Sequence, residues 1–207
     1  MLENYKKDHN GVIKQIHREQ FIYDLDYINK RYNTYSSNDI MSHLRLGYLI
    51  GSIGREPESI LDVGYGNGAF LKLASEKFKC YGHDISNYPT PDNVEFVGDI
   101  FNKQFDVICF FDVLEHYPDI YFIKDLQCNY IIISLPECHY FSDEWFENWK
   151  HRRPHEHLWH FNKQSLISFF DNNGYDCINI SNIEDFIRKT NLSYSNILSG
   201  VFKKRDH

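Results

Sequence analysis

No apolar run in the 207-residue sequence approaches the ~18 residues that cross a bilayer, so no membrane span is expected. The first eleven residues are polar and hold no signal-peptide core, which points to a cytoplasmic protein. Cysteine is sparse. Five residues (Cys80, Cys109, Cys128, Cys138, Cys177) lie far apart with no C-x-x-C pair, and an odd count argues against a disulfide framework. Positive charge is scarce as well: the formal net charge is -7 and no helix-length segment carries a basic block, so binding to a nucleic-acid backbone is not expected. With few prolines, no repeat and no Pro/Gly-rich linker, the chain reads as a single folded unit. Its 42% hydrophobic content is enough for a sizeable core.

What the chain does have is concentrated at Ile60-Leu61-Asp62-Val63-Gly64-Tyr65-Gly66-Asn67-Gly68-Ala69-Phe70. An apolar strand runs into an acid, then glycines at alternate positions, then the apolar start of a helix. Such a turn is too tight for β-carbons and opens onto free helical N–H groups, so it suits a nucleotide-like ligand at the carboxyl edge of a parallel sheet. Two ligand classes compete. Gly64, Gly66 and Ala69 satisfy the relaxed dinucleotide fingerprint, with Asp84 at about the ~20-residue distance that fingerprint expects. Asp62, Gly64, Gly66 and Gly68 satisfy D-x-G-x-G-x-G instead. A carboxylate in the turn repels a pyrophosphate but accepts a hydrogen bond from an ammonium group. S-adenosylmethionine joins an adenosine to such a group, so Asp62 favours it over a nicotinamide cofactor.

Further strand ends carry acids. Lys79–Ile85 reads as a second strand ending near Asp84, which can accept both ribose hydroxyls, with Ile85 beside it. Val94–Ile100 reads as a third, placing Asp99 and Ile100 toward an adenine. Phe105–Asp112 and Tyr130–Pro136 read as buried strands, with Phe111 at the cofactor's edge. Asp39–Ser52 and Asn162–Asn173 have helical periodicity, the second ended by Gly174, and Tyr175–Ser181 with Ile197–Lys203 form a closing strand pair.

On these motifs the chain resembles the class I S-adenosylmethionine-dependent methyltransferases. LDVGYGNG is similar to their cofactor loop, YGHDIS to their ribose-binding strand end, VGDI to their adenine-side acid, and FDVICFFDVLEHYPD to their fourth strand with the Val113-Leu114-Glu115-His116 signature. Leu44-Arg45-Leu46-Gly47-Tyr48 matches a segment of the ubiquinone-biosynthesis-type O-methyltransferases. In those enzymes its arginine lies near the cofactor's carboxylate. The resemblance covers roughly residues 41–175. It implies a Rossmann-like, mostly parallel seven-stranded sheet with flanking helices and an antiparallel C-terminal strand pair. It also implies a cofactor set of Arg45, Asp62, Gly64, Tyr65, Gly66, Gly68, Asp84, Ile85, Asp99, Ile100 and Phe111.

Residues 1–38 match no motif and are expected to be a helical extension, as a cap on the pocket or a dimer arm, ahead of a methyltransferase domain at 39–207. Residues 139–161 hold all three tryptophans and five of the eleven histidines, directly after the fifth strand. They read as a lid enclosing a ring or sugar, or as a covering segment that packs on the sheet. Methyl transfer to a hydroxyl needs positioning and a base, for which histidine is suited. His157 and His160 are the first candidates, on a stretch similar to the family's H-x-x-F-T/N pattern, and His116 is the next. The spacing of His155, His157 and His160 does not match common zinc patterns, so no metal is expected. The expected function is methylation of a small molecule, at a hydroxyl. The alternatives are N-methylation, or a subunit that binds the cofactor without turnover.

Overall fold

The structure, a computed structural model, describes residues 2–32, 38–86, 88–188 and 193–205. It opens with a short antiparallel hairpin, β1 (Tyr5–Lys7) and β2 (Ile13–Gln15). The Asp8 carboxylate shapes the turn by accepting from the N–H groups of Asn10 and Val12, each at 2.9 Å. The expected helical extension is therefore only partly helical. Its helix is α1 (Leu25–Tyr32), and the hairpin precedes it because polar and apolar residues alternate around a turn-forming Asp-His-Asn-Gly. Residues 33–37 of this segment lie outside the described residues.

After α2 (Asn38–Ile53) the chain enters the main sheet through β3 (Ser59–Val63), α3 (Ala69–Ala74), β4 (Lys79–His83), β5 (Val94–Phe96), β6 (Phe105–Phe111) and β7 (Cys128–Pro136). Next come α4 (Asp143–Asn148), β8 (Trp159–His160), α5 (Lys163–Asn172), β9 (Tyr175–Ser181), α6 (Asp185–Arg188) and β10 (Ile197–Lys204). Among the described residues, seven strands pair in the order β5-β4-β3-β6-β7-β10-β9. The β5-to-β7 block is parallel, and β10 runs antiparallel to both β7 and β9. This is the seven-stranded Rossmann-like sheet that the motifs imply.

The central strands are buried along their length because helices cover both faces of a parallel sheet. Cys80 and Cys109 pack there as small apolar side chains, and all five cysteines are free thiols. The C-terminal core closes on Phe170 and Phe202, whose rings stack 3.8 Å apart. α5 starts at a reciprocal cap: the Ser165 N–H donates to Asn162 Oδ1 at 2.8 Å, and the Asn162 N–H donates to Ser165 Oγ at 3.0 Å. At its other end Gly174 takes φ 87°, as a helix terminator does.

A second sheet joins the N-terminal hairpin to the segment after β7. Ile13 pairs with His160 and Lys14 with Trp159. This pairing carries residues 16–27 across the carboxyl ends of β3, β4 and β6. No helix among the described residues is long and apolar enough to cross a membrane.

Candidate functional site

The glycine turn after β3 is built as its sequence demands. Gly64 takes φ 71°, and a β-carbon there would lie 2.5 Å from Val113 Cγ2. Gly68 takes φ 73° as the N-cap of α3, and a β-carbon would lie 2.6 Å from Pro91 Cγ. The Gly66 N–H donates to Asp84 Oδ2 at 2.9 Å and the Ser86 N–H to Asp84 Oδ1 at 2.7 Å. The acid at the end of β4 thus fixes the turn at the end of β3. Each of its oxygens keeps a further lone pair for a hydroxyl donor.

Asp62 is buried beneath this turn, and its Oδ1 has no hydrogen-bond partner among the described residues. Burial pushes its carboxyl up to about 8; Arg45 opposes that rise and Asp84 adds to it. Tyr65 points the other way, into the core beside Gly82, and its hydroxyl donates to the Tyr88 carbonyl.

A cavity of ≈ 690 Å³ lies above these strand ends, within the size range of small-molecule sites. Gly64, Gly66, Asp84, Ile85, Phe111 and Arg45 all line it. At one end the Arg45 guanidinium sits 4.2 Å over the Phe111 ring and donates to Glu184 through Nε at 2.7 Å. It also reaches Asp112 at 3.3 Å and Ser134 Oγ at 3.2 Å. Arg188 donates to Glu184 Oε2 through Nε at 2.8 Å and to Asp112. Burial disfavours the charge on Arg45, yet Glu184 and Asp112 outweigh it and raise the pKa; the two arginines likewise hold the buried Glu184 carboxyl below its usual range. Asp112 takes φ 56°, which turns its carboxylate back toward both arginines at the end of β6.

The other end is lined by Tyr23, Tyr27, His116, Tyr117 and His155. Its rings are phenols and imidazoles. Tyr23 Oη and the Glu156 carbonyl lie 2.8 and 2.9 Å from His116 Nδ1. A carbonyl only accepts, so Nδ1 carries a proton, and in the neutral form of the ring Nε2 is the acceptor. Tyr27 donates to Glu156 Oε1 at 2.9 Å, and the Glu19 N–H donates to His155 Nδ1 at 2.9 Å. These bonds tie the N-terminal segment down as the roof of the cavity.

His157 packs edge-on to His116 with ring centroids 4.6 Å apart, and it does not line the cavity. Burial, with help from the neighbouring imidazoles and Arg153, drives its pKa far below the usual value. His160 lies deeper, between Phe146, Trp149 and Tyr5, and burial lowers it to about 3. His160 pairs with Ile13 in the small sheet, and both are buried.

Two other sets of expected residues also fall outside the cavity. Asp99 is exposed, and its oxygens close a local turn by accepting from Phe101 N–H at 2.9 Å and Asn102 Nδ2 at 2.6 Å. Ile100 is buried in the core. Of residues 139–161 only His155 and Leu158 reach the cavity. Trp159 donates to the Tyr117 carbonyl at 2.8 Å from within the core. Trp145 and Trp149 stack with each other 5.4 Å apart against Tyr194 and Phe146, outside the cavity wall. The aromatic rings that face the cavity come from Phe21, Tyr23, Tyr27, Phe111 and Tyr117 instead.

Residues 43–180 match the model of the methyltransferase domain family, which is more than half of the chain. The chain belongs to that family. Solved methyltransferases share its fold. The 1,6-didemethyltoxoflavin N1-methyltransferase of Burkholderia thailandensis, solved with its substrate and S-adenosylhomocysteine, superposes with a TM-score of 0.61 at 14% identity, over 98% of this chain and 100% of that one. The magnesium protoporphyrin IX methyltransferase of Synechocystis PCC 6803, solved with S-adenosylhomocysteine, gives 0.58 at 14% identity over 86% and 93%. A Haloferax volcanii putative methyltransferase, solved with the Trm112 activator, gives 0.59 at 12% identity over 90% and 100%. No curated protein matches the sequence.

The cavity and its ionic end include residues that the sequence pattern did not single out. Asp112, Glu184 and Arg188 complete the ionic end, and Tyr23 and Tyr27 complete the roof. Asp112 had a visible signal, since it ends a strand read as buried. Glu184 and Arg188 are an i, i+4 pair on a short C-terminal segment far from every motif, and only the fold brings them to Arg45.

Proposed function

We propose that this methyltransferase moves the methyl group of S-adenosylmethionine to a hydroxyl of a small molecule, with the ionic end holding the cofactor's amino-acid part and the histidine end holding the acceptor. The chain's own residues fit that cofactor. The buried, unpaired Asp62 Oδ1 lies under the glycine turn, where an ammonium group would satisfy it, and Asp84 offers lone pairs to ribose hydroxyls. Arg45 and Arg188 supply the cationic groups a carboxylate seeks. Asp99 and Ile100 do not line this cavity, so the adenine is not assigned to them.

The cofactor supplies a sulfonium methyl: the acceptor oxygen bonds to its carbon as the carbon–sulfur bond breaks and the electron pair stays on sulfur. The protein contributes alignment, exclusion of water by the N-terminal roof, and a destination for the hydroxyl's proton. The observation that carries the hydroxyl reading is His116, an imidazole in the cavity wall whose Nδ1 proton is fixed by the Glu156 carbonyl. That leaves the other nitrogen to take a proton. His157 and His160 then shape and support this end from behind.

The test is turnover of S-adenosylmethionine against matched panels of alcohols, phenols and amines. Methylation of hydroxyl acceptors, with kcat reduced about 10²- to 10⁴-fold in His116→Ala and cofactor affinity retained, is expected. Methylation of amines alone, indifferent to His116, would overturn the hydroxyl assignment.

A further inference from the structure

Among the described residues three arginines line the cavity, and two of them are already engaged. Arg45 and Arg188 pair with Glu184 and Asp112 at the ionic end. Arg18 is exposed and has no hydrogen bond, ion pair or ring contact among the described residues. The backbone on either side of it is nonetheless held. The Ile16 N–H donates to the Asn4 carbonyl at 2.9 Å, and the His17 N–H donates to Asn4 Oδ1 at 2.7 Å. The His17 carbonyl accepts from Gln15 Nε2 at 2.6 Å. On the other side the Glu19 N–H donates to His155 Nδ1 at 2.9 Å, which places Arg18 at the histidine end. Arg18 is therefore an unengaged guanidinium on a fixed stem.

His155 adds a second donor to the same wall. A backbone N–H only donates, so Nδ1 carries no proton and the ring's N–H is at Nε2. The backbone of His155 takes φ 70°, a left-handed conformation that a non-glycine residue holds only when its surroundings enforce it. Gln15 does so: its Oε1 accepts from the His155 N–H at 2.9 Å while its Nε2 holds the His17 carbonyl. One buried side chain thus fixes both the stem of Arg18 and the strained turn that carries His155.

We propose that Arg18 and His155 form a carboxylate-binding subsite, so that the acceptor is a hydroxylated ring acid. The inference rests on the reading of the histidine end as the acceptor end. A guanidinium offers two parallel N–H groups to a carboxylate, a geometry that an ammonium group lacks. Phe21, Tyr23 and Tyr27 line the same cavity, with ring centroids 4.9, 5.3 and 5.7 Å apart, and supply apolar area for the ring. Glu19 lines the cavity as well, but no ion pair joins it to Arg18 among the described residues, so the guanidinium stays available.

The test is isothermal titration of the S-adenosylhomocysteine-loaded protein with 3- and 4-hydroxybenzoate against the matching hydroxybenzamides. The acids should bind at least about tenfold more tightly than the amides. Arg18→Gln should reduce that ratio to under about twofold, and Arg18→Lys should keep part of it, since it retains the charge without the fork. His155→Asn, a residue that tolerates positive φ, should weaken the acids severalfold. Equal affinity for acids and amides, no binding of the acids, or a preference that survives Arg18→Gln overturns the subsite. Acid affinity indifferent to His155→Asn overturns the part given to His155, and tighter binding of phenyl phosphate than of the benzoates overturns the choice of carboxylate. With S-adenosylmethionine present, methylation of hydroxyls without any acid preference fails the subsite and leaves the hydroxyl reading standing. An Arg18-dependent preference for aminobenzoates over aminobenzamides, with no hydroxyl methylated, fails the hydroxyl reading and leaves the subsite standing.

Discussion

The two ends of the cavity solve the problem of buried polarity in opposite ways. At the ionic end, two arginines and two acids are all charged, and each satisfies the others: Arg45 and Arg188 clamp Glu184 and Asp112. At the histidine end the charged groups are fewer, with Arg153 3.2 Å from Glu156, and imidazoles and phenols make up most of the lining. Burial there keeps His151, His157 and His160 uncharged, with His151 lowered to about 4 by burial despite its bond to Asn196. A fixed ion network suits a zwitterionic ligand tail. A set of imidazoles and phenols suits a neutral acceptor ring.

The largest expected effect tests the ionic end. Arg45→Met removes one of the two arginines that hold Glu184 and Asp112, and removing one partner of a buried pair typically costs about 3–5 kcal/mol. Denaturant unfolding should show a loss of that order, together with loss of the thermal shift produced by S-adenosylmethionine. A loss under about 1 kcal/mol would mean that this end behaves like an exposed ion pair, and the comparison would break.

Next comes the turn that joins the two ends. Gly64→Ala adds a β-carbon 2.5 Å from Val113 at φ 71°, and a cost of about 2 kcal/mol is expected. Val113→Ala in the same chain should restore part of it by removing the clash, while the backbone strain stays. Full rescue would show that φ contributes nothing here.

The two ends should also respond to pH with opposite sign. Asp62 has a folded pKa near 8, well above the unfolded value, so its contribution is full at acidic pH and is lost as pH rises through 8. His151 and His160 have folded values near 4 and 3, below the unfolded value, so their contribution is full above about pH 6.5 and is lost as pH falls toward those values. Unfolding free energy measured across pH should therefore peak near neutrality. Asp62→Asn should flatten the alkaline limb, whose slope is at most about 1.4 kcal/mol per pH unit. An ammonium group settling against Asp62 would also expel its proton. Calorimetry of cofactor binding near pH 7 should then show proton release that Asp62→Asn abolishes.

The smallest expected effect concerns the segment after β7. Trp145 stacks on Trp149 outside the cavity wall. Trp145→Ala should change cofactor affinity by less than about twofold. A larger change would return the tryptophans to the role of a lid.

How much of this was visible beforehand varies along the chain. β3, the glycine turn and Asp84 are local: a strand, a tight turn and a strand end, each encoded within a dozen residues by apolar runs and by glycines that no other residue replaces. Closing strands β9 and β10 were equally readable from their apolar content. The N-terminal segment was not, because its short strands become strands only by pairing with Trp159 and His160. Asp99 shows the limit of reading an acid at a strand end, since the same carboxylate serves equally well to close its own turn.

The sequence by itself determined the family, the sheet and the glycine turn, because those depend on backbone conformation and on periodicities that neighbouring residues impose on each other. Tertiary structure decided everything assembled from distant segments: the Arg45–Glu184–Arg188–Asp112 network, the roof of Tyr23 and Tyr27, and the meeting of His116 and His157. Side chains separated by 40 to 140 positions interact only after the sheet has folded, and no local pattern constrains their distance. That is why the glycine turn could be read from the chain while the histidine end had to be seen.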